Sequence, residues 1–443
     1  MIDLPSESGA GQVDDDVTGS MPDGLSEPTG RYLVVLAEAL RRDEQAMGAA
    51  LRSLAGVSDI VSASDFSEGG GSYGLAQIGD TGAVLFPQLA VAVVAGEPDR
   101  LASLTAAVDL DERIYAVEPE QMLYALSQPE ALRGEYVPGY RDAVAELCEE
   151  AVSAAAPQFV DTPEFTWGLQ ATRVTTSPWT GAGVSVALLD TGMDLRHPDF
   201  ADRNITSMSF VSNQTPQDSH GHGTHVTGTS SGPADPPGES PRYGVAFSDN
   251  IFIGKVLSDQ GSGTDAQILA GIDWAITNGC RVISLSLGSN MRSVSPTYEA
   301  VGQRALDAGC LVIAAAGNNA SRSLGRFGFV GRPANSPSIM AVGAVDAELR
   351  IADFSARSTP VTGGQVDIVG PGVATYSSWT MPTRYRTISG TSMATPHVAG
   401  IAALLSQANG ATGSALWGLL VRTAQQLEIP SVDVGAGLVQ APQ

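Results

Sequence analysis

Three short segments of the sequence each set a reactive side chain among small residues. In Val184-Ser-Val-Ala-Leu-Leu-Asp190-Thr-Gly, an apolar strand ends on a carboxylate, and open α/β sheets place their sites at the carboxyl ends of strands. Alone, such an Asp would serve as a cap or turn residue. In His220-Gly-His222-Gly-Thr-His225, three of the five histidines fall within six positions. Metal ligation is the obvious competitor, but no carboxylate or Cys stands at helical spacing and only Gly and Thr lie between the rings. In Ser389-Gly-Thr-Ser392-Met-Ala-Thr-Pro396-His-Val-Ala-Gly400, a Gly-flanked Ser opens a helical apolar run, Val398 to Leu405. Ser at a helix start is most often a plain cap. The same place also gives its oxygen the positive end of the helix, which suits a nucleophile attacking a carbonyl. Asp, His and Ser together are the parts of a catalytic triad, whose order along a chain is not fixed by its chemistry.

With these residues stated, the resemblance is specific. The segments around Asp190, His222 and Ser392 resemble the three signatures of the subtilisin-like serine proteases, the subtilases, in that family's order. The similarity runs from about Trp167 to Gln443. It implies that Asp190 orients His222, that His222 is the general base, and that Ser392 is the nucleophile on which an acyl-enzyme forms. Ala314-Ala-Ala-Gly-Asn318 is similar to the segment presenting the oxyanion-hole amide, so Asn318 and the backbone N–H of Ser392 are expected to face the oxygen that becomes negative. Ser286-Leu287-Gly288 resembles the edge on which these enzymes pair an extended substrate backbone, a mode that fits broad specificity. The resemblance thus implies a serine endopeptidase made as a precursor and self-processed. The alternative is a latent or non-catalytic scaffold with a regulatory amino-terminal module.

Other candidates receive plainer readings. His225 and His397 are expected as satisfied core histidines, and His197 as a turn residue. Cys148, Cys280 and Cys310 are too few and too far apart for a disulfide framework or a zinc site, so no metal ligands are assigned. No cofactor is required. The family's strong calcium site would use a carboxylate matching Asp199 and a short Asn- and Gly-rich loop after the His segment. Here that stretch reads Gly232-Pro-Ala-Asp-Pro-Pro-Gly-Glu-Ser-Pro-Arg-Tyr, which puts that site in doubt, and calcium on another set of oxygen ligands stays open.

The elements that must hold these residues follow from patterning. From Trp167 on, apolar runs (Val184 to Leu189, Val282 to Leu287, Leu311 to Ala316) alternate with helical stretches (Ala266 to Asn278, Thr297 to Ala308), which predicts a doubly wound α/β domain over 166–443. Upstream, strands at Arg31 to Leu36, Ile60 to Phe66, Leu89 to Ala95 and Ile114 to Val117 flank helices marked by Met47, Ala50, Leu51 and Leu54 and by Leu101, Leu104 and Val108. That order predicts a small split βαβ, ferredoxin-like unit over 30–126. It resembles the subtilase prodomain, which acts as folding chaperone and intramolecular inhibitor, with Met122 to Leu126 as its exit tail along the substrate edge. Residues 127–165 read as a connector with one helix near Val144 to Ala151, and the cleavage point is expected between 125 and 165. Residues 1–29 read as a disordered acidic arm.

The composition of the 443 residues, 43% hydrophobic and 16% charged with 50 Gly and 26 Pro, is that of a folded, loop-rich chain. A net charge of −24 argues against nucleic acid and anionic membranes as partners, while polypeptide substrates are what the resemblance implies. The longest apolar stretch, Ala83 to Gly96, is broken by Pro87 and Gln88 and is too short to cross a bilayer. The amino terminus shows no secretory leader, so a cytoplasmic location is expected, with secretion as the alternative.

Overall fold

A computed structural model describes residues 29–66, 82–96, 98–127 and 158–443. Nearly all of the acidic arm and the expected connector helix, with Cys148, lie outside them. Among the described residues the amino-terminal part is built from β1 (Arg31–Leu36), α1 (Glu44–Ala55), β2 (Asp59–Ser62), β3 (Gly82–Phe86), β4 (Val91–Ala95), α2 (Pro98–Leu110), β5 (Ile114–Pro119) and β6 (Met122–Ala125). Asp43 starts α1 by accepting the Ala46 N–H at 2.9 Å, and Gly56, at φ 61°, ends it in the left-handed conformation that glycine adopts without strain.

The first five strands form one sheet in the order β2-β3-β4-β1-β5. Strand β1 lies antiparallel between β4 and β5, β3 is antiparallel to β4, and β2 joins the edge parallel to β3. The α+β unit is thus present, with two differences from the sequence pattern. The strand expected over Ile60 to Phe66 stops at Ser62 and turns into a 3₁₀ segment, Ala63–Phe66. The strand expected at Leu89 to Ala95 is one arm of a hairpin whose other arm, β3, was not recognised. The reason is burial on both faces. Val84, Phe86, Val91 and Val93 pack into the core shared with the carboxyl-terminal domain, while Ala83, Leu85, Ala92 and Val94 pack under the helices. A hairpin buried on both sides shows no alternation, so it reads as one apolar run.

The larger domain contains α3 (Trp167–Ala171), β7 (Ser185–Asp190), β8 (Ile205–Ser209), α4 (His222–Ser231), β9 (Asn250–Lys255), β10 (Ser262–Thr264), α5 (Asp265–Thr277), β11 (Val282–Leu285), β12 (Leu287–Gly288), α6 (Pro296–Asp307), β13 (Leu311–Ala315), β14 (Met340–Val345), β15 (Ile368–Pro371), β16 (Thr375–Ser378), β17 (Tyr385–Ile388), α7 (Thr391–Asn409) and α8 (Gly413–Thr423). Seven strands pair in the order β15-β14-β13-β11-β7-β9-β8. All six neighbouring pairs are parallel. Strand order reverses at β7, and at such a switch point an open parallel sheet forms its crevice. The strand expected over Val282 to Leu287 breaks after Leu285, and its continuation, β12, leaves the large sheet.

That continuation joins the two parts of the molecule. Strand β6 lies between β10 and β12, antiparallel to both, in a separate three-stranded sheet. Just before it, two carboxylates of the small unit sit at helix starts of the large one. Glu118 Oε1 accepts the Thr297 N–H of α6 at 3.0 Å, and Glu120 Oε1 accepts the Ala266 N–H of α5 at 3.1 Å. Each satisfies donors that a helix cannot satisfy internally, at its positive end.

Candidate active site

Asp190 ends β7, His222 opens α4 and Ser392 lies in the first turn of α7. All three are buried. Strand β7 is apolar from Val186 to Leu189 because both its faces are covered, so the next polar residue, Asp190, marks its carboxyl end. His222 Nδ1 lies 2.8 Å from Asp190 Oδ1, which also accepts the Thr191 N–H at 2.7 Å. This bond places the Nδ1 proton towards the carboxylate and leaves Nε2 as the basic nitrogen. His222 Nε2 has no hydrogen-bond partner among the described residues, the Ser392 hydroxyl included. The hydroxyl instead lies against the Leu126 carbonyl oxygen and 2.9 Å from the Ser286 carbonyl oxygen.

Asn318 follows β13 and closes the site from the other side. Its Oδ1 accepts both the N–H and the hydroxyl of Thr391 at 2.9 Å, which fixes the amide so that Nδ2 donates to the Leu126 carbonyl oxygen at 2.8 Å. Gly390 leaves the space this requires. A Cβ there would stand 2.6 Å from the same oxygen.

The tail enters as an extended strand. Leu287 pairs with Ala125 and Gly288 with Tyr124, and the Leu126 N–H donates to the Ser286 carbonyl at 3.2 Å. A Cβ on Gly288 would stand 3.0 Å from Leu126 Cδ1, so the absent side chain gives the leucine its room. The expected edge is therefore one wall of a two-walled cleft. The other wall, β10, was missed: Ser262 pairs with Tyr124, and the Gly261 carbonyl accepts the Ala125 N–H at 2.9 Å. Its only sequence signal was the run Gly261-Ser-Gly-Thr264 ahead of α5, whose Thr264 and Gln267 form a capping box.

Asp218 was also missed. Its buried carboxylate accepts the N–H groups of His220, Gly221 and Thr224, each at 2.9 Å, and so holds the turn that delivers His222. Three more histidines are placed by local bonds. His225 Nε2 lies 3.0 Å from the Thr375 carbonyl oxygen, and burial pushes this ring down to about 3. His397 Nδ1 lies 2.8 Å from the Met393 carbonyl oxygen, and burial pushes it down to about 4. His197 caps the 3₁₀ turn Pro198–Phe200. Cys280 and Cys310 are free and buried, and burial pushes the Cys280 thiol up to about 12, so neither is a nucleophile at neutral pH.

The carboxylate matching the family's calcium ligand is already engaged by the chain's own donors. Asp199 Oδ2 accepts the Tyr243 hydroxyl at 2.5 Å, Oδ1 lies 3.1 Å from an Arg384 amino group, and the Tyr385 hydroxyl lies 3.0 Å from Oδ2. A guanidinium thus stands beside the acid, and these residues do not fit a calcium ion there. Among the described residues no cluster of three or more His, Cys, Asp or Glu is arranged for a metal, and no helix is long and apolar enough to cross a membrane.

Comparison with known proteins bears on the same domain. The subtilase family pattern matches residues 181–438. Subtilisin DY of Bacillus licheniformis is 40% identical over 54% of this chain and 81% of its own length. Subtilisin Savinase of Lederbergia lenta is 40% identical over 62% of this chain and 96% of its own length. A thermostable alkaline protease of Halalkalibacterium halodurans is 42% identical over 59% of this chain and 67% of its own length. These relatives correct the expected cytoplasmic location, since they are secreted extracellular subtilisins and fit the extracellular alternative better. The expectation failed because it rested on the composition of the first residues alone, which carries no compartment. Nor do they favour a non-catalytic scaffold. Matched over more than half of its length, the chain belongs to the subtilase family and is a serine endopeptidase.

Proposed function

We propose that the chain is a self-processing precursor in which Asp190 orients His222, His222 takes the proton of Ser392, and Ser392 attacks the carbonyl carbon of Leu126. The observation that carries this reading is the Leu126 carbonyl oxygen, held by Asn318 Nδ2 at 2.8 Å beside the Ser392 hydroxyl. Attack forms the Oγ–C bond and moves an electron pair onto that oxygen. Asn318 bears the charge together with the Ser392 N–H, which lies in the first turn of α7, where amides lack intrahelical acceptors. His222 then returns its proton to the Ser127 nitrogen as the Leu126–Ser127 bond breaks, and water releases the Leu126 carboxyl group from the acyl-enzyme.

On this reading residues 30–126 are the prodomain, 127–165 the connector that becomes the new amino terminus, and 166–443 the catalytic domain. The cleavage point narrows from 125–165 to a single bond. The freed tail, Met122 to Leu126, keeps its pairing with β10 and β12 and so acts as a product-like inhibitor. Other polypeptides enter the same cleft through Ser286, Leu287 and Gly288, read by backbone pairing before side chains. The Arg384–Asp199 contact supports a catalytic domain that needs no calcium at Asp199.

The test is a fluorophosphonate probe followed by intact mass. The wild-type chain should gain one adduct and begin at Ser127, while Ser392→Ala should stay full length and unlabelled. A labelled chain that keeps residues 1–126 attached would overturn the processing step.

A further inference from the structure

The chain has 24 Lys and Arg residues, and only one of them, Lys255, is a lysine. It is also fully buried, at 0% exposure. A composition that uses Arg at every other cationic position keeps the ammonium at a place where a compact point charge fits and a planar fork does not. Burying an ammonium is costly unless it is paired and hydrogen-bonded. Lys255 ends β9 directly opposite Asp190 in the strand register. Its Nζ donates to the Thr191 carbonyl at 2.5 Å and pairs with Asp259 Oδ1 at 2.8 Å.

Thr191 connects this ammonium to the triad. Its N–H donates to Asp190 Oδ1 at 2.7 Å, its hydroxyl donates to Asp218 Oδ1 at 3.0 Å, and the same hydroxyl accepts the Gly223 N–H at 2.8 Å. The residue that holds the Asp190 carboxylate is thus also tied to the turn that delivers His222. Gly192, at φ 96°, leaves no slack behind it, since a Cβ there would stand 2.2 Å from the Pro216 carbonyl oxygen. Asp190 Oδ2 is buried and has no hydrogen-bond partner among the described residues. The residue directly across from this carboxylate in the strand register is Lys255.

We propose that Lys255 is a positioning residue of the triad, holding the Thr191 carbonyl so that the Thr191 N–H stays on Asp190, and setting the field behind that carboxylate. The inference rests on the assignment of Asp190, His222 and Ser392 as the triad. The charged and titratable groups facing this corner are Asp190, His222, His220, Asp218 and Asp259. Lys255 is among the groups that hold the neighbouring His220 below its ordinary value, after burial and His222, so its field reaches that ring.

Two variants of the full chain test this through a peptide substrate and a pH profile. Lys255→Met should lower kcat by about 10- to 100-fold through misplacement of Asp190, with KM little changed. It should also move the acid limb of kcat/KM to higher pH, because loss of a nearby cation favours the protonated form of a titrating base. Asp259→Asn, at a partner whose side chain is 33% exposed, should move the same limb to lower pH by leaving the ammonium uncompensated. A residue serving only stability would leave both limbs in place. A folded Lys255→Met enzyme with wild-type kcat and acid limb overturns the proposal. If that variant does not fold, an Asp259→Asn limb coincident with wild type overturns it. Ser392→Ala assayed alongside separates the two readings: turnover there refutes the triad, whereas a dead Ser392→Ala beside an unaltered Lys255→Met refutes only the role of Lys255.

Discussion

The seven-stranded sheet and the five-stranded amino-terminal sheet meet along α5 and α6, and they use their residues in opposite ways. The large sheet places side chains. Asp190, Ser286 and Asn318 each lie at or just beyond the carboxyl end of a parallel strand. In the small sheet the turn between β3 and β4 is grasped by its backbone. Asp273 of α5 accepts the Gln88 N–H at 2.9 Å, while Arg304 of α6 donates to the carbonyls of Leu36, at 2.7 Å, and of Leu89. The turn between β3 and β4 is thus held from both sides by partners that read no side chain. Chemistry requires particular residue types and leaves motifs, whereas backbone recognition tolerates almost any residue and leaves none.

The sharpest way to break this contrast is at the nucleophile. Ser392→Ala should lower kcat on unfolded casein by a factor on the order of 10⁶, the magnitude known for subtilisin itself. Near wild-type turnover would end the assignment. Next is Asn318→Ala, with an expected loss of about 10² to 10³ in kcat and little change in KM, again subtilisin's own magnitude. An effect confined to KM would show that the amide binds the ground state.

A smaller effect distinguishes the interface. Burial pushes Asp273 and Asp265 up to about 7 in the joined molecule, where Asp273 faces Glu44 and Arg41, and Asp265 faces Arg332, Tyr298 and Glu120. Released from the small unit, both should fall back towards the ordinary carboxylate value of about 4. The joined state has the higher value, so it binds protons, and association is strengthened as pH falls below about 7 and is weakest above it. From pH 8 to 6 each carboxylate should tighten inhibition of the mature enzyme by added 31–126 about tenfold. Asp273→Asn should remove one share of that slope, and a flat profile in the wild-type enzyme would refute the linkage. The smallest expected effect concerns calcium. A site saturated at 100 times its Kd would add about 2.7 kcal/mol, so the melting temperature should be the same in excess calcium and in chelator if Arg384 already serves Asp199. A large drop in chelator would reveal a strong site elsewhere.

How much was legible follows the same division. Asp190, His222, Ser392, Asn318 and Ser286 to Gly288 were all singled out in the sequence, because each sits in a short local pattern that chemistry dictates. β3 was hidden because both its faces are buried, and β10 because its three residues, Ser262 to Thr264, form a strand only when β6 lies against them. Asp218 was a carboxylate without a pattern, since three of its partners are backbone N–H groups that any sequence supplies and the Thr191 hydroxyl reaches it only in the fold.

The sequence by itself determined the reaction class and the fold of the larger domain, since signature residues and the alternation of apolar runs are local properties. Only the tertiary structure decided which peptide bond lies at the nucleophile, because backbone pairing, which any residue can make, sets the register that brings position 126 to Ser392 across 266 residues. It also decided the role of Asp199. A carboxylate is equally suited to a metal ion or a guanidinium, and folding brought Arg384 to it from 185 residues away.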